Sequence, residues 1–173
     1  MRIVPLALFL AVFGTALTSQ AQVDKYNLAG RYRVVQNIEC LNNGKPENAP
    51  SCLVESTGPI PVRGEIIISQ PVGQQSLRFE EIMPYSRVAF DITERDMTDA
   101  LGSRWIQRVN RIDENGFSYT QESLQMFADV TIYRREDHEL LRDGDKWYYM
   151  HTLQGETGTF KYNYYRKFLL EKN

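Results

Sequence analysis

From Arg31 onward, apolar and polar residues alternate in short runs, broken roughly every 8 to 12 residues by turn formers, the two-residue period of β-strands with one buried face. Arg31 to Ile38 places Tyr32, Val34 and Ile38 on one side, and Glu65 to Ser69 carries the β-branched run Ile66-Ile67-Ile68. Ser76 to Met83 sets Leu77, Phe79 and Glu81 together, and Val88, Phe90 and Ile92 alternate with Ala89, Asp91 and Thr93. Glu94 to Gly102 departs from that rhythm and predicts a short helix, with Thr93 as N-cap and Gly102 as its stop. Arg104 to Ile112 is a strand containing Trp105. Asn115-Gly116 then closes a tight turn, because both residue types tolerate positive φ. Phe117, Tyr119 and Gln121 alternate on the return, and Ala128, Val130 and Ile132 repeat the pattern. Arg134 to Asp137 reads as a charged connection, and Leu140-Leu141 leads into the turn Asp143-Gly144-Asp145. Two aromatic strands end the chain, Trp147 to Leu153 and Thr159 to Leu169, joined by Gln154 to Gly158.

The long interval from Ile38 to Arg63, with Pro59-Ile60-Pro61 near its end, reads as one surface excursion, since proline cannot sit in a central strand. The remainder makes about eight to ten strands with tight turns. Parallel pairing needs crossovers of about a dozen residues or more, for which the second half has no room, so the strands form an antiparallel meander. A meander this long hides its edges by closing or by folding into two layers. The expected fold is all-β, a closed antiparallel up-and-down barrel, with a two-layer β-sandwich as the alternative.

Composition adds a compartment. Arg2 precedes an apolar run from Ile3 to Leu17 and then a polar stretch in which Ser19 and Ala21 put small residues where signal peptidase cuts. Residues 1–21 read as a signal peptide and 22–173 as one domain, periplasmic or extracellular after cleavage. The run is shorter than the ~20 residues that cross a bilayer, so no stable membrane insertion is expected. Cys40 and Cys52, the only two cysteines, bracket a segment with little to bury. In an oxidising compartment they are expected to form a structural disulfide closing the 40–52 loop. A net charge of −2 gives no electrostatic reason to expect nucleic acid.

The opening Gly30-Arg31-Tyr32 resembles the Gly-x-Trp start of the lipocalins, with Tyr for Trp, and Tyr164-Tyr165-Arg166 is similar to their aromatic-plus-arginine ending. The long connection after the first strand fits the same superfamily. The mid-chain Thr-Asp-Tyr element is missing, and no room remains for the helix that follows the barrel in lipocalins. The resemblance implies a ligand-holding barrel in which Arg166 packs over the Tyr32 ring to close the base.

No motif identifies a reaction: Gly-x-Ser-x-Gly and phosphate-binding glycine patterns are both lacking, and a catalytic triad is not expected. His138, in a charged stretch, reads as solvated, and His151 as half-buried on a strand. The acidic residues Asp91, Glu94, Asp96 and Asp99 lack calcium-loop spacing. Neither a metal site nor a cofactor is expected. The aromatic strands point instead to a binding role, because rings with polar tips suit a mostly apolar pocket with a few anchors. The expectation is a non-enzymatic exported protein that holds a small apolar ligand near Trp105, Tyr149, Tyr162 and Tyr164. The alternative is a protein-interaction module, an enzyme inhibitor or envelope assembly factor, acting through the 40–52 loop.

Overall fold

A computed structural model describes residues 25–42, 51–56, 63–71, 74, 76–127, 130–158 and 160–173, with the side chains of 39–42 and 51–56 left out. The signal peptide, residues 43–50 of the disulfide loop, Pro59 to Pro61 and Ala128 lie outside the described residues.

Eleven strands form a single sheet: β1 (Gly30–Asn42), β2 (Ser51–Ser56), β3 (Glu65–Ser69), β4 (Leu77–Met83), β5 (Ser86–Ile92), β6 (Arg95–Thr98), β7 (Arg104–Asp113), β8 (Gly116–Phe127), β9 (Val130–Asp143), β10 (Lys146–Thr157) and β11 (Phe160–Lys172). The order is β5-β4-β3-β1-β11-β10-β9-β8-β7-β6, with β2 paired to β1 off this path. Every ladder among the described residues is antiparallel. The first long strand pairs with the last, so the path is a meander bent back on itself. Its two edges, β5 and β6, follow each other in sequence with only Thr93 and Glu94 between them.

The expected all-β antiparallel meander is present, and both expected endings of it need correcting. The sheet is a curled half-barrel and is not closed, since no ladder joins β5 to β6 among the described residues. It is also one sheet, not two layers. Its curl is held by contacts across the concave face. Phe79 on β4 stacks on Tyr149 of β10 at 4.9 Å and meets Phe117 of β8 edge-on at 6.0 Å. Phe90 on β5 stacks on Tyr119 of β8 at 5.2 Å, and the Tyr119 hydroxyl donates to the Asp91 carbonyl at 3.2 Å. Such ring pairs add to the burial of the rings themselves.

Five local expectations also change. Glu94 to Gly102 is not helical: β6 pairs with β7, and the Asp99 carboxylate accepts from the Leu101 and Ser103 amides to shape the turn that follows. The charged connection Arg134 to Asp137 and the link Gln154 to Gly158 lie mostly within strands β9 and β10. The excursion after Ile38 starts later and is interrupted, because β1 runs on to Asn42 and β2 returns along it. A bulge between Val34 and Gln36 shifts the alternation, so Asn37 turns inward in place of Ile38, and both Val34 and Val35 are buried.

Two glycines are needed where they stand. Gly116, at φ 136°, starts β8 so close to Leu140 that a Cβ would strike its carbonyl. The Tyr162 ring lies on Gly155 across the β10–β11 ladder, in the space a side chain would fill.

Candidate functional site

Register fixes which side chains share the concave face. On β10 they are Trp147, Tyr149, His151, Leu153 and Gly155; their partners on β11 are Leu170, Phe168, Arg166, Tyr164 and Tyr162. On β8 and β9, Phe117 pairs with Leu140, Tyr119 with His138, Gln121 with Glu136 and Ser123 with Arg134. Towards the β7–β8 and β9–β10 turns this face is a packed apolar core containing Tyr32, Phe79, Phe117, Leu140, Tyr149 and Phe168. Towards the other end the same strands present Gln107, Gln121, Ser123, Arg134 and Glu136. With Trp105, these residues line a cleft of about 220 Å³.

A charged belt crosses the boundary between the two halves. The Arg166 guanidinium donates to Glu81 on β4 at 2.6 Å, and both side chains are buried. Its Nη2 also stands 3.3 Å from His151 Nδ1. A guanidinium only donates, so Nδ1 accepts and the His151 proton sits on Nε2. That nitrogen then donates to Glu136 Oε2 at 3.0 Å. His138 lies directly opposite His151 in the β9–β10 ladder, with the two rings 4.5 Å apart and parallel within 4°. His138 Nδ1 is 2.8 Å from the Tyr149 hydroxyl. Its Nε2 is buried, has no hydrogen-bond partner among the described residues, and lies 3.7 Å from Glu136 Oε2.

His138 therefore corrects the expectation of a solvated residue: it is 1% exposed, because β9 continues through the charged stretch and turns it inward. Burial, reinforced by His151, pulls its pKa down to about 3, so the ring is neutral. For Glu136, burial acts to raise the pKa. The hydrogen bond from His151 and the charge of Arg134 outweigh it and hold the carboxylate below its usual range. Burial pushes the Tyr149 hydroxyl well above its ordinary pKa, with the Glu81 charge adding to the effect.

Of the four ring residues expected to hold a ligand, all lie on the concave face and only Trp105 lines the cleft. Tyr149 is fully buried in the core. Tyr162 covers Gly155, and Tyr164 meets His151 edge-on at 6.0 Å. The expected packing of Arg166 over Tyr32 does not occur. Arg166 lies over Phe168 and Tyr164, and it is Lys172 that reaches the Tyr32 ring, 5.3 Å from its centroid, paired with it across β1 and β11. Cys40 and Cys52 face each other in the β1–β2 register.

The facing histidines had a readable signal in the sequence. Counting six residues back from Gly144 and six on from Asp145, the two residues of the turn, lands on His138 and His151. Glu136 follows two residues before His138 on the same face. Arg166 and Glu81 had no such signal, because their contact crosses the curl between strands far apart in the sheet.

No protein-family model matches this chain, and neither does any curated protein or solved structure. Among the described residues no helix is long and apolar enough to cross a membrane.

Proposed function

We propose that this chain is an exported, non-enzymatic binding protein that holds one small molecule on the upper half of its concave face. The cleft around Trp105 carries this reading. It combines one large ring with amide, hydroxyl, guanidinium and carboxylate groups from Gln107, Gln121, Ser123, Arg134 and Glu136. Such a lining suits a ligand with a flat apolar part and polar substituents, more polar than composition alone suggests. The lower half is occupied by the protein's own rings, so a deep apolar ligand would have to displace core.

The lipocalin-like barrel belongs to the same reading. Among the described residues the meander lacks one ladder, at the β5–β6 seam, and beside that opening the Tyr119–Asp91 hydrogen bond ties β8 to β5. The 40–52 disulfide belongs with it too. Residues opposed in antiparallel strands have Cα atoms about 4.5–5.5 Å apart, inside the range a disulfide bridges. Two free thiols in the unreduced, unfolded protein would overturn that bridge.

The test of binding is tryptophan fluorescence of the mature protein against a library of small aromatic and amphipathic compounds. Trp105 is half-exposed and Trp147 is 5% exposed, so quenching should persist in Trp147→Phe and disappear in Trp105→Phe. A library with no quencher, or quenching that survives Trp105→Phe, removes the cleft from consideration.

A further inference from the structure

We propose that Glu136, His138 and His151 form a binding site for a divalent transition-metal ion of the zinc class, with an open coordination position towards the cleft. The three residues each offer one ligand atom, and these atoms lie within 4.8 Å of one another. Two imidazole nitrogens and a carboxylate oxygen are the donors of three-ligand zinc sites that keep a fourth position free. Bonds of about 2.0–2.1 Å at tetrahedral angles put such donors about 3.3 Å apart. The separations from Glu136 Oε2, 3.0 Å to His151 Nε2 and 3.7 Å to His138 Nε2, bracket that value. Seating an ion would draw the three atoms, now within 4.8 Å of one another, to that spacing and turn the two parallel rings towards it.

Three further features favour an ion here over a purely structural cluster. The buried His138 Nε2 has no hydrogen-bond partner among the described residues, although Glu136 Oε2 lies 3.7 Å away, and a polar atom buried in that state destabilises the fold until something satisfies it. The same ring is tied through Nδ1 to the Tyr149 hydroxyl, a hydrogen bond of the kind that orients a metal-ligating histidine. Glu136 divides its work likewise: Oε1 is held by Arg134 at 2.7 Å, and Oε2 faces both rings. The opposing influence is Arg166. In the metal-free protein its contact with His151 Nδ1 keeps the ring proton on Nε2, the atom a metal needs. Metal binding moves that proton to Nδ1 and opens this 3.3 Å contact, while Arg166 stays paired with Glu81 at 2.6 Å.

The site borders the ligand cleft through Glu136 and does not depend on a cleft ligand existing. The test is isothermal titration of metal-free mature protein with zinc sulfate, alongside the visible absorption of the protein with cobalt(II). One equivalent of zinc and an intense tetrahedral cobalt band are expected. Glu136→Gln and His151→Gln should each weaken zinc at least tenfold, and Tyr149→Phe roughly tenfold through the ring it orients. Circular dichroism and thermal melts of the metal-free variants check that they fold. Should they not, zinc-induced shifts of the imidazole nitrogens of His138 and His151 in wild-type protein decide the matter. Zinc that does not bind, that binds equally well to Glu136→Gln and His151→Gln, or that leaves both imidazoles unshifted overturns the site. These readouts need no quencher, so failure of the fluorescence screen and failure of this site are separate results.

Discussion

The two halves of the concave face are built on the same strands, by the same alternation, and are filled in opposite ways. Below the Glu81–Arg166–His151–Glu136 belt, Phe117, Leu140, Trp147 and Leu170 interlock as core. Above it, the same rows continue with Gln121, Ser123, Leu153 and Tyr164, with a cleft where the core would continue. Period-2 patterning therefore places a side chain on a face, and chemistry alone decides whether that stretch of face is stability or site. Neighbouring layers of one curled sheet have divided those two tasks.

The sharpest way to break this comparison is to truncate one ring in each half. Phe79 is fully buried and packs on Phe90, Phe117 and Tyr149. Phe79→Ala should cost about 3–5 kcal/mol in denaturant unfolding. Trp105 is half-exposed beside open space, and Trp105→Ala should cost about 1 kcal/mol or less. Equal losses would mean that the upper half is core after all.

The belt itself gives the next largest effect. Arg166→Met leaves the Glu81 carboxylate buried opposite an apolar side chain, and destabilisation of about 3 kcal/mol is expected. The double variant Glu81→Leu/Arg166→Met removes both charges together and should recover most of that loss. A double variant no better than the single one would show that the belt does more than balance two charges, since Arg166 also lies over Phe168 and beside His151.

The lower half was the more legible one, for a physical reason. Its rows are written in hydrophobic residues, so Leu77–Phe79, Phe117–Tyr119 and Trp147–Tyr149 announce both strand and buried face. Gly116 and Gly144 announce the turns between them through their positive φ. In Arg134 to Glu139 both faces are charged, so hydrophobic periodicity carries no signal there, and the strand continues because β8 and β10 pair with it on either side. In β6 all four residues are exposed, which leaves no apolar stripe to separate strand from helix. The belt was hidden more deeply still. Its Arg166–Glu81 contact depends on how far the sheet curls, which pairwise alternation does not encode, whereas the facing histidines follow from the Gly144 turn.

The smallest effect comes from the seam of the lower half, where Tyr119 joins β8 to the edge strand β5. Burial pushes the Tyr119 hydroxyl up to about 12, above the value near 10 of an unfolded tyrosine. The sign follows directly: the folded state holds its proton where the unfolded state has lost it. Tyr119's contribution is therefore complete below pH 10 and is lost as pH rises from 10 through about 12. Tyr119→Phe should cost about 1 kcal/mol at pH 7, through the lost hydrogen bond to the Asp91 carbonyl. It should also flatten the fall in stability above pH 10, though not abolish it, because Tyr149 and Tyr165 are raised as well. Denaturant midpoints of both proteins at pH 7, 10 and 11.5 read both effects. An alkaline slope unchanged by the substitution would place the Tyr119 hydroxyl in water, and with it the seam that its bond to Asp91 borders.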